Sequence, residues 1–121
     1  MFDLQNSALK FQRNQRAETI DATFLGPDWR KFGLILSDKT LEIHAQKGRI
    51  FGAKVPQAPR AMCYDPHEAC LCVVGNKPLV NRLDLYKGCF RQSYQLRGTQ
   101  SFDVKYDYNL ELLYAATDIG I

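Results

Sequence analysis

Three features of the sequence predict an all-β fold. Short segments of alternating or continuous apolar residues are separated by Gly, Pro, Asn and Asp, which is typical of strands joined by tight turns. No segment carries the apolar stripe of a helix. The same order of segments returns after about forty residues, the period of a four-stranded repeat. With 121 residues, 45% of them hydrophobic and a net charge of +3, the chain has the composition of one globular domain.

The first repeat unit contains four predicted strands. Residues 19–25 alternate between polar and apolar side chains, and residues 32–36 form a continuous apolar run. Residues 41–45 alternate again, and residues 49–55 form a more polar strand that ends at Pro56. The second strand is therefore predicted to be buried on both faces and the fourth to lie at an edge.

The second unit repeats this order, and a third unit begins after it. The predicted strands of these two units are residues 60–64, 70–74, 80–85 and 89–96, then 102–106 and 112–116. The dipeptide Lys-Gly closes the third strand in both complete units, at residues 47–48 and 87–88. The repeat predicts four-stranded units of one kind in succession.

A four-stranded unit of this period is typical of a β-propeller blade. A strand that is apolar on both faces must be covered on both faces, as it is when its blade is sandwiched between neighbours. Charges on the fourth strands, such as Arg49, Lys54 and Arg91, suit outer edges because they oppose edge-to-edge pairing. The alternative is a single small β-sandwich of roughly eight to ten strands, since strand spacing alone also suits that fold.

The predicted fold class is therefore an all-β, WD-repeat-like β-propeller segment, with about two complete blades and partial flanking blades. Residues 1–18, with a leading strand at 9–13, would be the end of a preceding blade and a linker. Residues 19–58 and 59–99 would be complete blades, and residues 100–121 the first half of a further blade. Because propellers have about four to eight blades, we expect a segment of a longer protein or, less favoured, a ring completed by another chain.

A WD-repeat blade ends its third strand in Trp-Asp, with a glycine four residues after the Asp. His44 and Gly48 keep this spacing, and so do Asp84 and Gly88. Of the two, only Asp84 can form the side-chain hydrogen bonds that the Asp of these repeats makes to a tight turn.

A more specific resemblance rests on a succession of short stretches in order and spacing. They are residues 9–13, 28–31, 44–48, Val55-Pro56 with Arg60, 70–75, and 82–85 with Gly88 and Phe90. The chain resembles the family of eukaryotic nucleolar WD-repeat proteins that includes nucleolar protein ten and, in yeast, essential nuclear protein two. It departs from the family pattern at Pro59-Arg60-Ala61, where Gly-Arg-Asp is common, and at Cys89, where Arg is common.

The resemblance implies a non-catalytic scaffold in the nucleus and nucleolus. Members of the family belong to the small-subunit processome, so the implied role is in pre-18S rRNA processing and 40S assembly. The implied partners are other assembly factors, with pre-rRNA or U3 RNA as further candidates. No small-molecule substrate, cofactor or membrane is expected.

The basic and aromatic residues of the loops are the candidate contacts with a partner or RNA: Arg13, Arg16, Trp29, Arg30, Lys31, Lys47 and Arg49. Loops gather on the two flat faces of a propeller, so several of these cations could meet phosphates together. Exposed Trp and Arg are favoured in interface hot spots. Solvated loop charge is the alternative for the cations, and a cap on the underlying core is the alternative for Trp29.

No catalytic, metal-binding or cofactor-binding residue is predicted. Cys63 and His67 lack a third group to orient a nucleophile, and His44 is interpreted as a hydrogen-bonded strand histidine. Asp103, Asp107 and Glu111 offer too few clustered oxygens for a Ca²⁺ loop.

The four cysteines are predicted to be structural thiols in a reducing compartment, with a disulfide or a metal as the alternative. Cys70 and Cys72 lie two apart in an apolar run and so share a strand face. Cys63 and Cys89 lie at spacings that do not suit paired zinc ligands.

A self-contained RNA-binding β-domain is the rival function, and a WD-repeat interaction module of another complex is a further alternative. An RNA-binding sheet needs aromatic side chains on one open face, for which Tyr106, Tyr108 and Tyr114 are the available cluster.

Overall fold

The computed structural model describes residues 18–25, 31–45 and 48–121, and all regular secondary structure in these ranges is β-strand. The strands are β1 (Thr19–Phe24), β2 (Phe32–Leu36), β3 (Thr40–Ala45), β4 (Gly48–Lys54), β5 (Pro59–Asp65), β6 (Cys70–Gly75), β7 (Leu79–Asp84), β8 (Phe90–Gln95), β9 (Ser101–Asp107) and β10 (Leu112–Thr117). The predicted all-β class and each predicted strand within the described ranges are confirmed. The predicted leading strand at 9–13 lies outside the described residues.

The strands form two four-stranded antiparallel sheets and a hairpin. Sheet I has the order β1-β2-β3-β4, sheet II has the order β5-β6-β7-β8, and the C-terminal hairpin pairs β9 with β10. Each strand follows its sequence neighbour because the connections are short turns. The polar fourth strands, β4 and β8, occupy edges as predicted.

Sheet II is covered on both faces. Leu71 and Val73 of β6 face Ile35 and Leu41 of sheet I in one apolar core. The alternate residues of the same strand, Cys72 and Val74, belong to a second core that the hairpin completes with Val104. Successive side chains of a strand point to opposite faces, so the fully apolar β6 requires a neighbour on each side. The prediction of two-sided burial is confirmed for this strand.

Polar contacts at the strand ends recur in every unit. A residue one or two positions before the first strand donates its backbone N–H to a side-chain oxygen that follows the second strand. Glu18 donates to Ser37 Oγ at 3.1 Å, Ala58 to Asn76 Oδ1 at 2.8 Å, and Thr99 to Asp118 Oδ1 at 2.9 Å. The sequence repeat is therefore also a repeat of hydrogen bonds, and it fixes the register of the first two strands of each unit.

The seam between sheet II and the hairpin is closed by Ser101 and Gly75. Ser101 Oγ accepts a hydrogen bond from Gly75 N at 3.1 Å and lies 2.9 Å from Lys77 O and 3.1 Å from Gly75 O, either of which its hydroxyl can reach as donor. Gly75 also lies against the chain before β5, so that a Cβ there would fall 1.9 Å from Ala58 O. Only glycine fits at this close approach of two backbones.

The linker between the sheets is held by a buried glutamine. Gln57 donates to Asn81 Oδ1 at 2.8 Å and accepts from Lys77 N at 3.0 Å, and its side chain is fully buried. These bonds satisfy a polar group that would otherwise cost free energy in the interior. The linker is thereby fixed to sheet II, and no sequence feature singled out Gln57.

All four cysteines are free thiols. Cys63, Cys70 and Cys72 are buried in sheet II, whereas Cys89 is exposed. Burial raises the pKa of Cys70, and the hydrogen bond with Cys63 together with burial raises the pKa of Cys72. The Cys70 and Cys72 thiols are therefore protonated, and they pack as small hydrophobes, as predicted.

The described residues contain no helix that is long and apolar enough to cross a membrane.

The substitution Gly75→Ala should destabilise the fold by about 2–3 kcal/mol, because its Cβ meets backbone rather than a movable side chain. Chemical denaturation followed by tryptophan fluorescence or circular dichroism measures the loss. Gly33→Ala is the matched control, since the nearest atom to its Cβ is the flexible end of Leu71, at 3.0 Å. Equal losses for the two variants would contradict the close approach at Gly75.

Candidate docking groove between the first two sheets

A groove of about 550 Å³ runs between sheets I and II beside the turn that joins β7 to β8. Its lining includes Leu25, Lys31, Ile50, Phe51, Tyr86 and Lys87. We call this surface the inter-sheet groove. Apolar residues form much of its lining, and Tyr86 is 88% exposed. The combination of apolar surface, an aromatic side chain and cations suits the binding of another macromolecule.

Asp84 builds the turn that presents Tyr86 and Lys87. Its Oδ1 accepts hydrogen bonds from the backbone N–H groups of Tyr86 at 2.8 Å and Lys87 at 2.9 Å. The Gly88 N–H then donates to Asp84 O at 2.9 Å, with Gly88 at a φ of +70° that favours glycine. The predicted role of Asp84 as the turn-binding aspartate is confirmed.

An ion-pair network of Asp84, Arg91 and Glu68 stabilises this turn. Asp84 Oδ2 accepts a hydrogen bond from Arg91 Nε at 2.9 Å, and Arg91 Nη1 donates to Glu68 Oε2 at 3.1 Å. The Lys87 backbone N–H and the Arg91 guanidinium hold the pKa of Asp84 below its ordinary range. The carboxylate stays ionised at neutral pH, so the turn is fixed before any partner arrives. Arg91 lies on the edge strand β8 as predicted, and its guanidinium is bound there to two carboxylates.

Of the predicted contact residues, the structure describes the side chain of Lys31 alone. Lys31 is exposed and lines the inter-sheet groove, and its carbonyl accepts a hydrogen bond from Leu25 N at 2.9 Å. Only the backbone of Arg49 is described, paired with His44. The other predicted contacts lie outside the described residues: Arg13, Arg16, Trp29, Arg30 and Lys47.

Tyr86 and Lys87 are not among the contact residues predicted from the sequence, whose pattern marks Tyr86-Lys87-Gly88 only as the end of a strand. A signal was present. The aspartate accepts hydrogen bonds from the amides of the second and third residues after it, Tyr86 and Lys87, and both of these residues are exposed. A large aromatic residue at such a position has nothing to bury against.

His44 is a buried member of sheet I. Its Nε2 lies 3.0 Å from Glu42 Oε1, and its ring stacks on Phe32 with centroids 5.4 Å apart. The interpretation as a hydrogen-bonded strand histidine is confirmed. The Glu42 carboxylate and the aromatic stack supply polar and apolar contacts that account for burial of this side chain.

The residues considered for catalysis have structural contacts instead. Asp65 Oδ1 accepts from the backbone N–H groups of His67 and Glu68, which makes this segment an aspartate-bound turn. Cys63 is buried in β5, whereas His67 is exposed, and within the described ranges no hydrogen bond joins the two side chains.

The residues considered for Ca²⁺ form a turn of the same kind. Asp107 Oδ1 accepts from Asn109 N at 2.8 Å and Leu110 N at 3.2 Å. Across the part of the chain that the structure describes, no group of three or more His, Cys, Asp or Glu residues could hold a metal ion.

The tyrosines proposed for base stacking do not share one face. Tyr106 pairs across the hairpin with Leu113, while Tyr114 pairs with Lys105. Directly paired residues lie on the same face and neighbours along a strand alternate, so Tyr106 and Tyr114 lie on opposite faces. Tyr106 packs against the second core, with Tyr108 edge-on at 5.5 Å. The aromatic cluster that the rival RNA-binding function requires is therefore divided between the two faces of the hairpin.

Comparisons with known proteins agree with this architecture. A family model described as "Nucleolar protein 10-like, N-terminal domain", and designated a β-propeller, matches residues 1–121. The predicted propeller class is thereby confirmed.

The chain is also similar to longer proteins. It is 31% identical to "Nucleolar protein 10" of Xenopus tropicalis over 82% of this chain. It is 29% identical to "Ribosome biogenesis protein ENP2" of Saccharomyces cerevisiae over 79% of this chain, and 28% identical to "Nucleolar protein 10" of Homo sapiens over 78%. The matched region spans only 14% of each of these three relatives.

The ionisation of Asp84 should make the free energy of unfolding fall as the pH is lowered below about 4. Its pKa in the folded state lies below the ordinary value of 3.8, so the carboxylate stabilises the turn fully above about pH 4. That stabilisation is lost as the pH falls through the lowered pKa. Asp84→Asn should lower the melting temperature at pH 7 by several degrees and should flatten its fall between about pH 4 and pH 2.

Thermal melts over that pH range measure both effects. Glu111→Gln, which changes an exposed carboxyl group in the hairpin turn, is the control and should leave the melting temperature at pH 7 and the acid slope unchanged. An Asp84→Asn variant with the acid slope of the parent protein would contradict the assignment.

Proposed function

The chain belongs to the family of nucleolar protein 10-like N-terminal domains, and on this premise we propose that it is a non-catalytic scaffold of ribosome biogenesis in the nucleolus. The names of the relatives support the proposal, since they combine a nucleolar protein with a ribosome biogenesis protein. In finer terms, the scaffold acts in the small-subunit processome, in pre-18S rRNA processing and 40S assembly. Its partners are other assembly factors, with pre-rRNA or U3 RNA as further ligands.

The proposed scaffold is a stack of blades. We assign residues 19–58 and 59–99 to complete blades, residues 100–121 to the first half of a further blade, and residues 1–18 to the end of a preceding blade and a linker. Sheet I, sheet II and the hairpin support this division, because the first strand of sheet I contacts the first strand of sheet II, which in turn contacts the first strand of the hairpin.

The observation that carries the docking role is the exposure of Tyr86 on a rigid turn. The turn is fixed by Asp84 and Arg91, so a partner would not have to order it on binding. Tyr86 projects beside Lys87 at the rim of an apolar groove. A protein segment with an apolar side chain and a carboxylate would satisfy the groove and the cation together.

An RNA-binding β-domain is the second candidate, and the exposed cations of the groove favour it as a secondary contact. Lys31 and Lys87 both line this surface. The split of Tyr106 and Tyr114 between two faces speaks against sequence-tolerant base stacking as the main function.

The double variant Tyr86→Ala/Lys87→Glu, placed in a full-length family protein, should lower the amount of co-purifying partner proteins by about tenfold or more. The reason is that truncating one hot-spot residue costs upwards of about 2 kcal/mol of binding free energy. Quantitative mass spectrometry of proteins that co-purify from nucleolar extract measures the loss. Tyr108→Ala is the matched control, because it removes an exposed tyrosine from a turn outside the groove. An unchanged set of ribosome assembly factors with the double variant would contradict docking at the groove.

Salt dependence separates the two candidate functions. Binding of RNA alone should be weak and should change only modestly between about 50 and 200 mM salt, because few phosphates can meet the groove's cations. Fluorescence anisotropy with a labelled single-stranded RNA measures it. A loss of affinity by about three orders of magnitude over that range would favour the RNA-binding domain instead.

A further inference from the structure

The first strands of sheet I and of the hairpin carry an aspartate at the same structural position. In β1 the pairing with β2 shifts register between Thr19 and Asp21. In β9 the pairing with β10 shifts between Ser101 and Asp103, opposite Ala116 and Thr117. A bulge at such a place re-aims the side chain that follows it. Asp21 and Asp103 are thus equivalent residues of the repeat.

Asp21 joins two sheets. Its Oδ1 accepts a hydrogen bond from the N–H of the next residue, Ala22, at 2.9 Å. Its Oδ2 accepts from the N–H of Met62, at 3.0 Å, in the first strand of sheet II. One carboxylate therefore fixes its own strand and the first strand of the following sheet. A hydrogen bond to a charged acceptor is among the stronger ones available at such a seam.

Asp103 repeats half of this arrangement. Its Oδ1 accepts from Val104 N at 2.8 Å, as Asp21 does from Ala22. Within the described residues its second oxygen has no hydrogen-bond partner, and the side chain is exposed. The carboxylate is aligned by its own backbone in the same way as the one that holds Met62.

The surface beside Asp103 suits a packed strand. A shallow slot of about 120 Å³ lies there, with Ala116 and Tyr114 among its lining residues. The small side chain of Ala116 allows a neighbouring backbone to approach closely. Tyr114, which is 41% exposed, leaves apolar surface for a neighbour to cover.

The seam between sheet II and the hairpin lacks this carboxylate contact, so the contact is not common to every pair of neighbouring units. The equivalent residue of sheet II is Ala61, which has no side-chain acceptor. There, Arg60 Nη1 donates to Ser101 O at 3.1 Å, and Ser101 Oγ binds Gly75. By analogy with Asp21, the hydrogen-bond donor that Asp103 suits is the backbone N–H of the residue equivalent to Met62 in a following unit.

We infer that Asp103 Oδ2 accepts the backbone N–H of the first strand of a further four-stranded sheet, which packs on the open face of the hairpin. The occupant is the segment that follows this region in full-length members of the family. The region matched by this chain spans 14% of each relative described above, which leaves room for such a segment. The inference rests on the proposed assignment of residues 100–121 to the first half of a further blade.

Asp103→Asn in a full-length family protein tests this contact. Asn keeps the size of the side chain and the oxygen that caps Val104, but it replaces the second acceptor with an NH₂ donor. Hydrogen exchange followed by NMR or mass spectrometry should show faster exchange, by about tenfold or more, in a strand beyond residue 121. Asp21→Asn is the positive control and should speed exchange at Met62. Glu111→Gln is the negative control.

The outcomes separate the alternatives. Unchanged exchange beyond residue 121 with Asp103→Asn, whether or not Asp21→Asn acts on Met62, would overturn the inference. Protection that depends on protein concentration would also overturn it, because the occupant would then be a second copy. Melting temperature and exchange in sheet I report whether the variant is folded. Co-purification with assembly factors is not part of this readout, so failure of the docking groove would leave the result for Asp103 intact.

Discussion

The structure depends on covering both faces of an apolar strand. Leu71 and Val73 enter one core of sheet II, and Cys72 and Val74 enter the other. Fully burying one Leu or Val side chain stabilises a fold by roughly 1.5–3 kcal/mol, and neither set can be buried by sheet II alone. Flat units that each need two neighbours stack in series, which is the arrangement of a propeller.

Stacking also places the candidate docking surface. The turn fixed by Asp84 in sheet II lies beside Phe51 of strand β4 in sheet I. Tyr86 stays exposed because its turn is held by a hydrogen bond to Asp84, which is itself paired with Arg91. The core therefore provides the position of the groove, and the polar network under the turn provides its rigidity.

Periodicity is enough to predict the strands, and the spacing of a WD-repeat ending predicts the turn at Asp84, because both depend on residues close in sequence. Contacts between distant residues could not be predicted: Asp21 binds Met62 across 41 positions, and Ser101 binds Gly75 across 26. Arg91 matched an edge charge in sequence, but its partner Glu68 comes from another turn. Of the predicted contact residues, Lys31 lies at the groove, while Tyr86 became visible only once its turn was in place.

Removing the hairpin measures how far sheet II depends on its second neighbour. A chain that ends at residue 98 lacks β9 and β10 and leaves Cys72, Val74 and Val80 without their cover. Equilibrium urea unfolding, with binding of a hydrophobic dye recorded in parallel, compares it with the 121-residue chain. We expect a clearly lower unfolding midpoint and strong dye binding. An unchanged midpoint without dye binding would show that sheet II is stable with one face open, and the stacked architecture would lose its physical basis.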